Sequence, residues 1–256
     1  MSKPREPGLG LNGRPRTLVT GGTRGIGAAI AHRLARAGHD LVLGYARDDA
    51  SAELAEAGVE AAGGECTLVR CDLLEPGGVE SLFAAAGPLT GVVNNAGATF
   101  HLGPLAETPV DVIRRTVDLN LTTAILVARS AVRALSTAYA GQGGVLVNIS
   151  SGAATRGSPG EYVQYAAAKA GVDALTLGLA EEVAQQGVRV VGVAPGMIRT
   201  SIHADAGEPG RLERVAPFIP LQRAGEPEEV ADAVAWLMSD EASYVTGTTL
   251  RVAGGR

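Results

Sequence analysis

Aromatic residues are scarce: Phe, Trp and Tyr together make up 4% of the 256 residues. Any sizeable core must therefore be assembled from Ala, Val, Leu and Ile, a composition that suits helices stacked on a parallel sheet. Hydrophobic residues, at 46%, are numerous enough for one. Cysteine is nearly absent. The two present, Cys66 and Cys71, flank the strand-like run 67–70. That spacing would set them roughly 17 Å apart on opposite faces, so no disulfide is expected and a reducing, cytoplasmic setting fits best. The four histidines, His32, His39, His101 and His203, show no metal-ligand spacing. Neither sign of charge dominates. The net charge is −5 with arginines scattered among acids, which leaves no footprint for nucleic acid or an anionic membrane. No apolar run is long enough to span a bilayer. Residues 1–15 are rich in Pro, Gly and basic side chains and lack the apolar stretch of a secretory signal; they read as a disordered tail.

What the chain does have is alternation. Strand-like runs at 16–20, 40–45, 66–71, 91–94, 144–150, 188–194 and 248–252 are interleaved with helix-like stretches at 26–37, 50–62, 79–86, 109–135, 161–186 and 227–238. This order predicts an α/β fold: one Rossmann-type doubly wound parallel sheet of about seven strands, helices on both faces, in a single domain over 16–256. The least regular stretch, 197–225, carries Gly207, Gly210, Gly225 and prolines at 209, 217 and 220. It follows the carboxyl end of a strand, where such sheets bind ligands, and is expected to be a substrate lid.

The turn Thr20-Gly21-Gly22-Thr23-Arg24-Gly25-Ile26-Gly27 joins the first strand to the first helix. Gly21 permits the sharp turn, Gly25 lets backbone N–H groups approach a pyrophosphate, and Gly27 lets helix and sheet pack closely. Further along, Tyr165 and Lys169 lie four residues apart on a helix, hence on one face. A free phenol ionises near pH ~10, and a neighbouring ammonium brings that value towards neutrality, as a proton-transfer group requires.

The string TGGTRGIG at 20–27 resembles the TGxxxGxG fingerprint of the short-chain dehydrogenase/reductase family. The likeness continues through Asn94-Asn95-Ala96-Gly97, the Ser and YxxxK elements, and Pro195-Gly196, in family order over roughly residues 16–255. This resemblance implies a soluble oxidoreductase that moves hydride between a nicotinamide and a carbonyl or secondary alcohol. It implies nucleotide-binding roles for Gly21, Thr23, Arg24, Gly25, Ile26, Gly27, Asn95, Ala96 and Gly97. Asp72, followed by Leu73, resembles the aspartate that bonds adenine, with capping of its own turn as a second role. Pro195, Gly196, Ile198 and Thr200 are expected around the nicotinamide carboxamide. The second strand ends at Tyr45-Ala46-Arg47, without the acid that NAD-preferring members use on the ribose. Arg47 and Arg24 could both pair with a phosphate, so NADP(H) is expected ahead of NAD(H).

The resemblance assigns Tyr165 as the proton donor and acceptor at the substrate oxygen, and Lys169 as its partner and a holder of the ribose. Ser151, from the run Asn148-Ile149-Ser150-Ser151, would bind the carbonyl oxygen; Ser150, its neighbour, points to the other face. Asn120 resembles the asparagine that kinks its helix and holds a water leading to Lys169. Thirteen residues separate Ser151 from Tyr165, one more than the commonest family spacing, and the surplus falls in 157–161. Tyr162 is expected in the pocket wall rather than as the acid. The helices at 109–135 and 161–186 are apolar or small on more than one face, which implies pairing into a homodimer or homotetramer. The substrate is expected to be a small molecule. Reduction of a ketone or 3-oxoacyl compound is the leading expectation, oxidation of an aldose or polyol the alternative, and a non-catalytic NADP-binding sensor the rival from another class. The lid, with Arg199, His203, Asp205, Glu208, Arg211 and Arg214, shows no single preferred charge.

Overall fold

The computed structural model describes residues 13–256, the side chain of His203 excepted. Seven parallel strands form one sheet in the order β3-β2-β1-β4-β5-β6-β7. They are β1 (Arg16–Thr20), β2 (Asp40–Tyr45), β3 (Cys66–Arg70), β4 (Gly91–Asn94), β5 (Gly144–Ile149), β6 (Val188–Pro195) and β7 (Thr249–Val252). Each interior strand alternates between two cores. Val19, Leu41, Leu43, Val93, Val147, Val191 and Val193 face one side; Leu18, Val42, Val92, Leu146 and Val190 face the other. Because successive strand residues point to opposite faces, a strand buried on both sides reads as an unbroken aliphatic run. Cys66 and Cys71 follow the same rule: they join opposite cores, and both are free thiols.

The first core is closed by α1 (Gly25–Arg36), α2 (Asp49–Ala61) and α10 (Pro227–Met238), through Ile30, Leu34, Val59, Val230, Val234 and Leu237. The second is closed by α3 (Gly78–Ala86), α5 (Thr123–Leu135) and α7 (Val163–Val183), through Leu82, Val127, Leu135 and Val183. The chain leaves β1 for β2 on one side and later sets β4 on the other. The strand order therefore reverses beside β1, and a crevice opens at the carboxyl ends of β1 and β4.

Three expectations need correction. The helix at 109–135 is interrupted: α4 (Val110–Val117) runs into a π-helical turn at Asp118–Thr122 before α5 begins. That turn carries one residue more than an α-helical turn, and within it Asn120 Nδ2 donates to the Thr116 carbonyl at 2.9 Å. The segment 197–225 is more regular than its glycines suggest. It folds into α8 (Ile202–Asp205) and α9 (Arg211–Val215), rooted where Ile198 and Gly225 form a parallel bridge. Of the expected tail, residues 1–12 lie outside the described residues. Residues 13–15 are fixed: Pro15 accepts from Asp40 N at 2.8 Å, and Arg14 donates to the carbonyls of Gly38 and Gly63.

Candidate active site

At the crevice, Thr20 braces the glycine turn from within. Its Oγ1 accepts from the backbone N–H groups of Asn95 and Ala96 at 2.9 and 3.0 Å. Asn95 Nδ2 returns the contact, donating to the carbonyls of Thr20 and Gly21 at 2.9 and 3.0 Å. The end of β4 thus clamps the turn after β1. A side chain at Gly27 would put Cβ 2.1 Å from the Gly21 carbonyl oxygen and 2.8 Å from Asn95 Nδ2. Gly25 sits at φ +54°, where a β-carbon is disfavoured, and leaves the start of α1 open to a ligand.

Above this turn lies a cavity of about 620 Å³. Every residue assigned to the nucleotide lines it, from Gly21, Thr23, Arg24, Ile26 and Gly27 through Tyr45, Arg47, Asp72, Leu73 and Ala96 to Pro195, Gly196, Ile198 and Thr200. Arg24 and Arg47 lie at the β2 end, largely exposed; each stands 3.6 Å from a single carboxylate, of Asp205 and Asp72 respectively. The acids closest in sequence to Arg47 are otherwise engaged. Asp48 caps α2 by accepting from Ser51 N and Oγ, and Asp49 pairs with Arg70 at 3.1 Å. Asp72 also accepts from Leu74 N at 3.0 Å, the turn-capping role expected of it. An open glycine turn, a helix start and two under-engaged guanidiniums fit a phosphate-bearing dinucleotide.

Ser151, Tyr165 and Lys169, the residues assigned to catalysis, line the same cavity. Ser151, just past β5, lines the cavity beside the Tyr165 phenol, while its Oγ accepts from Ala153 N at 3.1 Å. Ser150 points away and donates to the Lys169 carbonyl at 3.3 Å. Lys169 Nζ lies 5.8 Å from the Tyr165 ring centre and donates to the Ile149 carbonyl at 2.8 Å. Burial lowers the Lys169 amine to about 8, with Asp173 opposing weakly. Burial also raises the Tyr165 phenol, helped by Tyr162 and countered by the nearby Ser151 hydroxyl. Tyr165 is therefore a neutral acid at ordinary pH. The surplus residue before it is taken up by left-handed backbone at Gly157, Ser158 and Gly160, so Tyr165 still reaches Ser151.

Asn120 alone among the assigned residues does not line the cavity. It is fully buried behind Gly97. Its amide donates to the carbonyls of Ala98 and Thr116 and its Oδ1 accepts from Ala98 N at 3.2 Å. A second buried chain runs from Asn94 Nδ2 to Asn148 Oδ1 and from Asn148 Nδ2 to Thr176 Oγ1, each at 3.0 Å, tying β4, β5 and α7.

The Glu161–Arg211 contact and the bracing role of Thr20 escaped sequence reasoning. Glu161 and Arg211 meet in the substrate end of the cavity, where Arg211 Nη2 donates to Glu161 at 2.5 Å and to Tyr162 Oη at 3.1 Å. Burial works against the Glu161 carboxylate, but the Arg211 hydrogen bond and the charges of Arg211 and Arg214 outweigh it and keep it ionised. Their fifty-residue separation left no local pattern to find. Thr20 was hidden for a different reason, as a strand residue whose hydroxyl matters only through β4.

Fold and site together define a dinucleotide-binding oxidoreductase. A family profile described as "Enoyl-(Acyl carrier protein) reductase" matches residues 21–256. The chain is 44% identical to "Uncharacterized oxidoreductase YgfF" of Escherichia coli, over 93% of this chain and 98% of that protein. It is 37% identical to a "3-oxoacyl-[acyl-carrier-protein] reductase" of Synechocystis, over 93% and 95%. Among solved structures, a Burkholderia cenocepacia short-chain dehydrogenase "in complex with NADP" superimposes with TM-score 0.85 at 33% identity, covering 94% and 97%. The protein belongs to the short-chain dehydrogenase/reductase family and is an NAD(P)-dependent oxidoreductase of that family.

Proposed function

We propose that this enzyme reduces the carbonyl of a ketone or 3-oxoacyl compound with NADPH, by a reaction that runs in reverse as alcohol oxidation. The observation that carries the reading is the convergence of the Ser151 and Tyr165 hydroxyls, with Lys169 behind them. Two hydroxyls in one corner of the cavity suit an oxygen that gains negative charge as it is reduced. Bound in the cleft, the nicotinamide supplies the hydride. Ser151 donates to the substrate oxygen and fixes it. Tyr165, neutral and buried, gives that oxygen its proton. The Lys169 ammonium then favours the phenolate left behind. Asn120 holds α4, α5 and the strand-end loop in the register that Lys169 needs.

The preference for NADPH rests on Arg24 and Arg47 at a strand end whose nearby acids are engaged elsewhere. A homodimer or homotetramer is supported by apolar side chains exposed on α5 and α7, among them Ile125, Leu126 and Leu177. Two unpaired thiols suit a reducing, cytoplasmic compartment. No helix of the described residues is long and apolar enough to cross a membrane.

The test is fluorescence titration with NADPH and NADH, followed by turnover of a ketone panel, with an enoyl thioester included because of the profile's description. NADPH binding with ketone turnover supports the reading. Exclusive turnover of the enoyl thioester, or no nucleotide binding, rejects it.

A further inference from the structure

Among Glu161, Glu208, Arg211 and Arg214 charge is balanced but hydrogen bonding is not; Arg115, Arg156 and Arg256 line the same cavity outside this group. Arg211 is 2% exposed and lines the cavity. Its Nη1 donates to Glu208 at 2.9 Å and its Nη2 to Glu161 and Tyr162, yet its Nε is buried without a partner. Nε and Nη2 present parallel N–H bonds along one edge of a guanidinium, and Glu161 and Tyr162 occupy only the Nη2 half. Across that edge, Glu161 has committed Oε2 to Arg211. Its Oε1 has only Arg214 at 3.6 Å. A buried donor without an acceptor is costly, a penalty that a ligand atom bound there would relieve.

The corner is also electrically closed. Arg211 and Arg214 face Glu161 and Glu208 in a net-neutral quartet. A carboxylate or phosphate entering it would meet two carboxylates already paired with both cations. An uncharged hydroxyl adds no charge to the quartet, and one oxygen can both accept from a guanidinium N–H and donate to a carboxylate. The corner lies one aromatic ring from the reacting group. Arg211 is 5.0 Å from the Tyr162 ring centre, and the Tyr162 and Tyr165 rings meet edge to face at 5.4 Å.

We infer that Glu161 and Arg211 form a specificity subsite for an uncharged hydroxyl on the substrate, a few atoms from the carbonyl held by Ser151 and Tyr165. The substrate class is then a neutral hydroxylated ketone, or the corresponding diol in the reverse direction. This rests on the carbonyl-reductase reading above and adds what that reading leaves open.

The test uses a matched set: 4-hydroxycyclohexanone, cyclohexanone and 4-oxocyclohexanecarboxylate, with NADPH. The wild type should favour the hydroxyketone over cyclohexanone by at least about tenfold in kcat/KM, chiefly through KM, and should not favour the carboxylate. Glu161→Gln and Arg211→Lys should each shrink that ratio to within about threefold. A ratio between substrates cancels general losses, so a mere lid fastening would lower all three rates and leave the ratio intact. Calorimetric binding of cyclohexane-1,4-diol against cyclohexanol, with NADP+ present, reads the same discrimination without turnover. Tighter diol binding that is lost in both variants supports the subsite even if no ketone is reduced, and in that case only the reductase reading fails. A ratio near one in both assays, a ratio unchanged in the variants, or preference for the carboxylate overturns it.

Discussion

Lys169 spans from the interior of α7 to the carbonyl oxygen of Ile149 at 2.8 Å, so one side chain both joins the helix to the end of β5 and flanks the Tyr165 ring. Its burial sets a cost that depends on pH. Below about 8 the amine is charged in the folded and unfolded chain alike, and the folded state bears the full burial penalty. Between about 8 and the ordinary lysine value the unfolded chain binds more protons, so this penalty fades as pH rises. Lys169→Met should therefore stabilise the protein by about 2 kcal/mol at pH 7 and by nearly nothing near pH 10.5, while abolishing turnover. Urea unfolding at the two pH values checks this. Destabilisation at pH 7 would mean that the Ile149 hydrogen bond outweighs the burial of charge.

Tyr165→Phe removes the one proton donor and keeps the ring that packs on Tyr162. The expected result is a fall in kcat of about 10³-fold with NADPH affinity changed by less than about threefold. Single-turnover kinetics beside a fluorescence titration separates the two.

Arg24→Ala and Arg47→Ala should each raise the Kd for NADPH by about tenfold and leave that for NADH nearly unchanged. The effect should shrink with added salt, because both side chains are mostly exposed. An equal loss for both nucleotides would place these arginines elsewhere than at the 2′-phosphate.

Gly27→Ala would drive a methyl group to 2.1 Å from the Gly21 carbonyl. The turn must open and its bonds to Asn95 must stretch. A stability loss of about 1–3 kcal/mol is expected, together with loss of nucleotide binding, measured by thermal melting with and without NADPH.

The sheet was legible because every interior strand is aliphatic on both faces, and the parity of Cys66 and Cys71 fell out of the same rule. The glycine turn and the Tyr165–Lys169 pair could be picked out as candidates because each lies within one short segment, and both line one cavity. The break at Asp118–Thr122 was not readable from spacing: residues 110–135 contain no Gly or Pro to mark an interruption, and only the resemblance singled out Asn120. The short helices of the lid were missed because Gly207 and Gly210 bound them rather than disrupt them. The Glu161–Arg211 contact depends on how the lid is laid over the start of α7, which no local pattern records.

The π-helical turn has one more implication. Its surplus residue acts as a counter, setting α5 out of phase with α4 by about 100° of helical rotation. Removing any one residue between Asp118 and Thr122 would let an ordinary helix heal across the gap. Such a chain would keep its hydrophobic composition and could keep its sheet, but the side chain at the asparagine position would swing away from Ala98 and Gly97. At this point in the molecule, activity depends on the length of the chain as much as on the identity of its residues.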